Sequence, residues 1–286
     1  MHLHQTALLG ALVLASTLGP AQAAFPPPLS SYYPDVGPNA SIVFELHEGA
    51  GVGLIGLLTR EATASVKRIL DKNARIEELV IDSQGGDVDG AIALAELVRE
   101  RKLRLVVAGR CFSACANFVF TAARRKDVLP GSLVGIHGKT YSYAFQDKPL
   151  MLRSSDSKQI VAASGDPSAA AQVAAFDKAE RTFYRNIGVS MTYLDDFERY
   201  SAAYRSAPAA SCPALEFWIL RRKDLEKMGV TGMGAIWEPL DRAAAGAAGA
   251  RFGFNPKTMF LGDPAALAAQ CRPASGFMAK LRGLFG

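Results

Sequence analysis

The stretch "ELVIDSQGGDVDGAIALAELVRERKLRLVVAGRCFSACANFVFTAARRKDVLPGSLVGIHG", residues 78–138, alternates two kinds of apolar segment. ELVID (78–82), LRLVVAG (103–109) and LVGI (133–136) are short, continuous apolar runs of the kind that fill a buried strand. Between the first two, Ala91 to Lys102 places Ile92, Ala95 and Leu97/Val98 at helical core spacing, with Glu96, Glu100 and Arg101 outside. Between the last two, Ser113 to Ala123 reads as a helix apolar on nearly every side, followed by a turn in RRKDVLPG. Strand, helix, strand, helix, strand implies right-handed crossovers and a largely parallel sheet, hence an α/β fold.

In such sheets the functional crevice lies beyond the carboxyl ends of the strands. Three loops meet there: Ser83 to Asp87, Arg110 to Ser113, and His137 to Lys139. Ser113 at the first turn of a buried helix has the Ala114 N–H beside it, with the positive end of the helix dipole behind, an arrangement suited to a developing oxyanion. Gly85 and Gly86 can bring a second N–H close to a carbonyl, because glycine permits close approach and unusual torsions. His137, 24 residues after Ser113, ends the next strand and is placed to act as a general base. Each residue also has a plainer reading: Ser113 as a helix N-cap, His137 as a hydrogen-bonded residue at a strand end, Gly85-Gly86 as a turn.

The order of paired glycines, C-x-S-A-C and histidine over 82–138 resembles the ClpP/crotonase superfamily, and most of all exported bacterial ClpP-like serine-protease homologues. The resemblance covers roughly residues 41–232. It implies a ClpP/crotonase-like spiral of repeated β-β-α units, Ser113 as nucleophile, His137 as base, and the Gly86 and Ala114 N–H groups as oxyanion hole. It implies a peptide or protein substrate, no cofactor and no metal, and a ring-like homo-oligomer as the family habit. Gln84 stands where the family often has proline. The acidic member of the triad falls near GVSMTYLDDFERY (188–200), where Asp196 is preferred to Asp195. Two other readings stay open: a non-catalytic binding or scaffold protein on the same fold, and a crotonase-type acyl-thioester enzyme.

Outside this stretch, SIVFEL (41–46) and GLIGLLT (53–59) read as strands, and Arg60 to Lys72 as a helix with Ala62, Val66 and Ile69 on one face. Residues 24–40 are Pro-rich and read as an extended lead-in to a domain spanning 41–240. Ala169 to Tyr184 and Thr192 to Tyr204 read as helices, and 213–232 as a short strand, a helix and a glycine stop. Ala243 to Ala250 reads as an Ala/Gly linker opening a C-terminal tail, so that 241–286 lies outside the domain.

The 286 residues are 49% hydrophobic and 21% charged, the composition of a globular protein with one substantial core. Residues 1–23 lack charged side chains, carry an apolar run from Ala7 to Leu18 and end in Ala21-Gln22-Ala23, the shape of a secretory signal cleaved before Ala24. An uncleaved anchor is the alternative. Export places Cys111, Cys115, Cys212 and Cys271 in an oxidising compartment, with Cys111 pairing Cys115 and Cys212 pairing Cys271. Zinc is the competing use, poorly served by C-x3-C with only His47 and His137 beyond the signal. The net charge of +5 is spread among acidic neighbours, so no nucleic-acid stripe emerges. The tail GFMAKLRGLFG (276–286) is too short to hold much helix on a membrane.

Overall fold

The computed structural model describes residues 25–37, 39–46, 49–138, 140–145, 148–153, 161, 165–192, 194, 195, 197 and 216–262. Strands β1 (Ser41–Glu45) and β2 (Val52–Leu58) form an antiparallel pair, and helix α1 (Arg60–Lys72) follows. Thr59 starts α1 by accepting a hydrogen bond from the Ala62 N–H, and Ala62, Val66 and Leu70 form its buried stripe. Then come β3 (Glu78–Gly86), α2 (Val88–Glu100), β4 (Arg104–Phe112) and α3 (Cys115–Phe120), the last wound as a π-helix. Next are β5 (Arg125–Val128), β6 (Leu133–Ile136), the hairpin β7 (Thr140–Phe145) and β8 (Lys148–Arg153), and the long helix α4 (Pro167–Ile187). The chain returns through β9 (Phe217–Ile219), α5 (Arg222–Lys227), β10 (Met233–Ile236), α6 (Arg242–Ala250) and β11 (Met259–Leu261).

One nine-stranded sheet runs β1-β2-β3-β4-β6-β9-β11, with β5 and β10 branching from β4. Only β1–β2 and β6–β9 are antiparallel. The α/β class with a mostly parallel sheet is as the sequence requires. The branch has a local cause. Beside Asp82 the register slips, Ile81 facing Val107 but Ser83 facing Cys111, so β4 carries extra residues there. Its first half pairs with β5 and its second half with β6. The buried Asp82 carboxylate fills this bulge, accepting from the Arg110 backbone N–H at 3.0 Å and from Arg110 Nε at 2.8 Å.

Strand alternation sends Cys111 into the core beneath α1, α2 and α3, and Phe112 to the opposite face, into a second cluster with Leu133, Ile219, Ala245, Ala248 and Met259. That second face corrects the reading of 243–250. The run 243–250 is a helix, not a linker: Asp241 caps it through the Ala244 N–H, and its small residues let Met259 lie against Gly249. Beyond it, β11 pairs with β9 and ends the sheet. The Pro-rich segment is also docked: the Ser30 N–H donates to Asp82 Oδ2 at 3.0 Å, Arg251 Nη2 donates to Pro26 O at 2.6 Å, and Phe25 packs edge-on against Trp237.

Three boundaries moved in ways that matter for the site. Gly85 and Gly86 are the last residues of β3 instead of a loop, Asp87 caps α2 so that it starts at Val88, and β4 runs through Arg110 to Phe112. The expected turn RRKDVLPG contains β5, and β10 was not foreseen. Residues 1–23, Asp196, Cys212, Cys271 and the tail beyond 262 lie outside the described residues.

Candidate active site

Ser113 sits between the end of β4 and the start of α3, and its φ is 54°, in the left-handed region that a non-glycine residue enters at a cost of about 1–2 kcal/mol. Its backbone is held from both sides: the Ser113 N–H donates to Gly135 O on β6 at 3.0 Å, and its carbonyl accepts from the Asn117 N–H at 2.8 Å. The helix begins after the serine, with Ala114 in the N-cap position and no side-chain cap. The hydroxyl instead lies 2.7 Å from His137 Nε2. The capping role is thereby excluded in this conformation, and the histidine is hydrogen-bonded to the one serine that the motif singled out.

His137 is half-buried at the end of β6, with its ring edge-on to Phe217 at 5.7 Å. The neighbouring ladder places a later segment on the main-core face of the sheet. Ile136 pairs with Trp218 on β9, and the Trp218 ring stacks on buried Phe197 at 6.2 Å. The chain around 194–197 is thus carried alongside the strand that ends in His137, while Asp195 is solvent-exposed.

Gly85 packs against the serine turn: a Cβ there meets Phe112 O and Ser113 Cβ at 2.7 Å and Ala114 N at 3.0 Å, with φ at 100°. Its own N–H is taken by Ser83 Oγ at 3.1 Å, and that hydroxyl also donates to Gly56 O at 2.6 Å. Gly86, at φ 148°, is different: it pairs with Leu58 of β2, a Cβ there meets Leu58 O at 2.6 Å, and the following Asp87 N–H donates to Leu58 O at 2.8 Å. Gly86 and Ser113 line the same cavity.

Ser113 opens into a cavity of about 860 Å³, with Leu57, Gly86 and Val88 on one wall and Gln172, Phe176 and Ala179 of α4 on the other. The α4 wall was not read from the sequence; its i, i+4, i+7 spacing of exposed or half-buried residues gave no chemical signal. At the mouth, Asp89 accepts from Arg60 Nη2 at 2.6 Å, which keeps the guanidinium pKa above its ordinary value. Buried Tyr184 ties α4 to α3 by donating to Asn117 O at 2.7 Å, where the Thr121 hydroxyl also donates at 2.5 Å.

Cys111 and Cys115 are disulfide-bonded across the serine, with Cα atoms 5.1 Å apart. Among the described residues no cluster of His, Cys, Asp and Glu is grouped to hold a metal ion, and no helix is long and apolar enough to cross a membrane. At the far end of α3, Lys126 is buried with its Nζ 3.4 Å from Thr121 O and 5.3 Å from the centre of the Phe120 ring. Burial, with a smaller push from Arg99, lowers its pKa to about 7.

No family model matches the chain, and no curated protein matches it. Among solved structures it is similar to a variant of the membrane-bound stomatin-specific protease 1510-N, at 12% identity and a TM-score of 0.38, with 66% of this chain and 78% of that chain covered.

Proposed function

We propose that this protein is an exported serine hydrolase of the ClpP/crotonase type that cleaves peptide bonds. The observation that carries the reading is the 2.7 Å bond between Ser113 Oγ and His137 Nε2, at a left-handed serine facing the cavity. An extended peptide in the cavity places its carbonyl carbon over Ser113. His137 Nε2 takes the hydroxyl proton as Oγ attacks, and the carbonyl oxygen turns toward the Gly86 and Ala114 N–H groups. Collapse of the tetrahedral intermediate breaks the C–N bond, the departing amine leaving with the proton from His137. Water, activated by the same imidazole, then releases the acyl group from Ser113. Asp196 is assigned the orientation of His137 from its place in the segment 188–200.

Export with cleavage before Ala24 is part of the same reading, supported by the disulfide at the site. N-terminal sequencing of the purified protein checks it: an intact Met1 refutes cleavage.

The decisive experiment on function is labelling by a fluorophosphonate probe with mapping of the modified residue, alongside hydrolysis of a peptide library. Labelling at Ser113 is expected. Ser113→Ala and His137→Ala should each lower hydrolysis on the order of a thousandfold or more with the fold retained, and the double variant should be hardly worse than either. A folded wild-type protein that neither labels nor cleaves overturns the reading in favour of a binding protein.

A further inference from the structure

We propose that the Cys111–Cys115 bridge is the positioning device of the Ser113 turn, so that the chain with both thiols reduced folds but holds no competent serine until it is oxidised. The inference rests on the hydrolase reading above and adds a condition for its activity.

Among the described residues Ser113 is one of two non-glycine residues with positive φ, and its local sequence asks for something else. A serine ahead of an apolar helical run favours the N-cap conformation, with extended φ and ψ and its oxygen turned to the helix N–H groups. In that conformation the hydroxyl is spent on the backbone and leaves His137. The Ser113 carbonyl bond to Asn117 N–H is an ordinary helical one and fits either geometry, so it does not decide between them. The bridge does bear on the choice. It closes a ring over Phe112, Ser113 and Ala114 alone, joining the last core-facing residue of β4 to the first residue of the π-wound α3. π-Winding is itself uncommon and recurs at functional sites.

The bridge also sits where it contributes least to global stability. A cross-link restrains the unfolded chain less the shorter the loop it closes, and this loop is among the shortest possible. Both sulfurs belong to fully buried residues in the core beneath α2. Two thiols fit there as small apolar groups, so the reduced chain keeps its core. Burial also shields the formed bridge from reductants, which makes the device a one-time commitment made while the chain folds.

Closure removes two electrons and two protons from the pair. A thiolate of the pair attacks the disulfide of a dithiol/disulfide oxidant, giving a mixed disulfide. The second thiolate then displaces the oxidant sulfur, and the oxidant departs as its dithiol. A chain still in a reducing compartment therefore carries an idle site, and transfer to an oxidising one completes it.

The test uses the full chain in a Cys212→Ala/Cys271→Ala background, refolded either with thiols kept reduced or in a glutathione redox buffer, and compared with Cys111→Ala/Cys115→Ala. Intact mass reports the bridge, urea unfolding the fold, fluorophosphonate labelling and peptide hydrolysis the serine, and NMR of the His137 imidazole its bond to Ser113. The reduced protein and the alanine variant should unfold near the oxidised midpoint. They should label about 100-fold more slowly, the size of loss expected from a misplaced reacting group, with kcat reduced and KM little changed. Refolding the reduced protein under oxidising conditions should restore both. Equal labelling of reduced and oxidised protein overturns the proposal, and so does failure of both the reduced protein and the variant to fold, which makes the bridge a structural staple. If the oxidised protein does not label at all, the hydrolase reading fails, and the NMR arm still decides this one: a His137 signal that shifts on reduction supports positioning, and an unmoved signal refutes it.

Discussion

Replacing Lys126 by methionine should stabilise the protein at neutral pH and flatten its stability between pH 7 and 9. Lys126 is 1% exposed, and the Thr121 carbonyl at 3.4 Å and the Phe120 ring at 5.3 Å are its nearest compensation. Those contacts favour the ammonium, yet burial outweighs them and holds the pKa at about 7, against 10.5 for the free side chain. The folded-state value is the lower one, so the unfolded chain binds the proton more tightly. Stability therefore rises with pH from about 7 to about 10.5 and is lowest below pH 7, where both states are charged. At about 1.4 kcal/mol per unit the whole window spans about 5 kcal/mol, of which about 2 falls between pH 7 and 9. Urea unfolding at pH 7, 8 and 9 should show this rise in the wild-type protein. Lys126→Met keeps the length and removes the charge, so its midpoint at pH 7 should be higher and its profile level. A wild-type profile that is flat or falling over this range, or a variant less stable at pH 7, refutes the reasoning.

Gly85→Ala places a Cβ 2.7 Å from Phe112 O and Ser113 Cβ, so backbone must move at the serine turn, and probe labelling should drop by about 100-fold while the far-UV spectrum persists. Labelling at the wild-type rate would show that the turn tolerates the shift. Asp82→Ala strips the partner from Arg110 and from the Arg110 and Ser30 N–H groups, so chemical denaturation should register a loss of about 3 kcal/mol or more. Tyr184→Phe leaves the ring in place but removes the bond to Asn117 O, a loss of about 1 kcal/mol by the same measurement. No change in the midpoint would mean that the tie between α3 and α4 is not a net contributor.

The elements that periodicity named were those whose faces are uniform. Arg60–Lys72 and Leu133–Ile136 appear with the expected limits, because one face of the first and both faces of the second are buried. β5 was missed for the opposite reason. RKDV carries three charged residues, yet Lys126 and Asp127 are buried, and the strand exists because β4 and β10 pair with it and because Arg104 Nε and the Ala235 N–H satisfy Asp127. The Ala/Gly run of α6 reads as a linker in isolation and becomes a helix because small residues allow Pro256 and Met259 to approach closely.

By itself the sequence determined the alternation of strand and helix and the candidate cluster: Ser113 and His137 at neighbouring strand ends, with Gly85, Gly86 and Ala114 beside them. Those follow from hydrophobic period and residue type, which are local properties. Tertiary structure alone decided that Ser113 leaves the helix for a left-handed turn, that Gly86 lies against Leu58 of the neighbouring strand, and that α4 lines the cavity with Ser113. The reason is the same in each case. Local preference gives serine a cap and glycine a turn, and bonds to residues distant in the chain, such as Ser113 to Gly135 and Asp87 to Leu58, act against it and cannot be read from a local pattern.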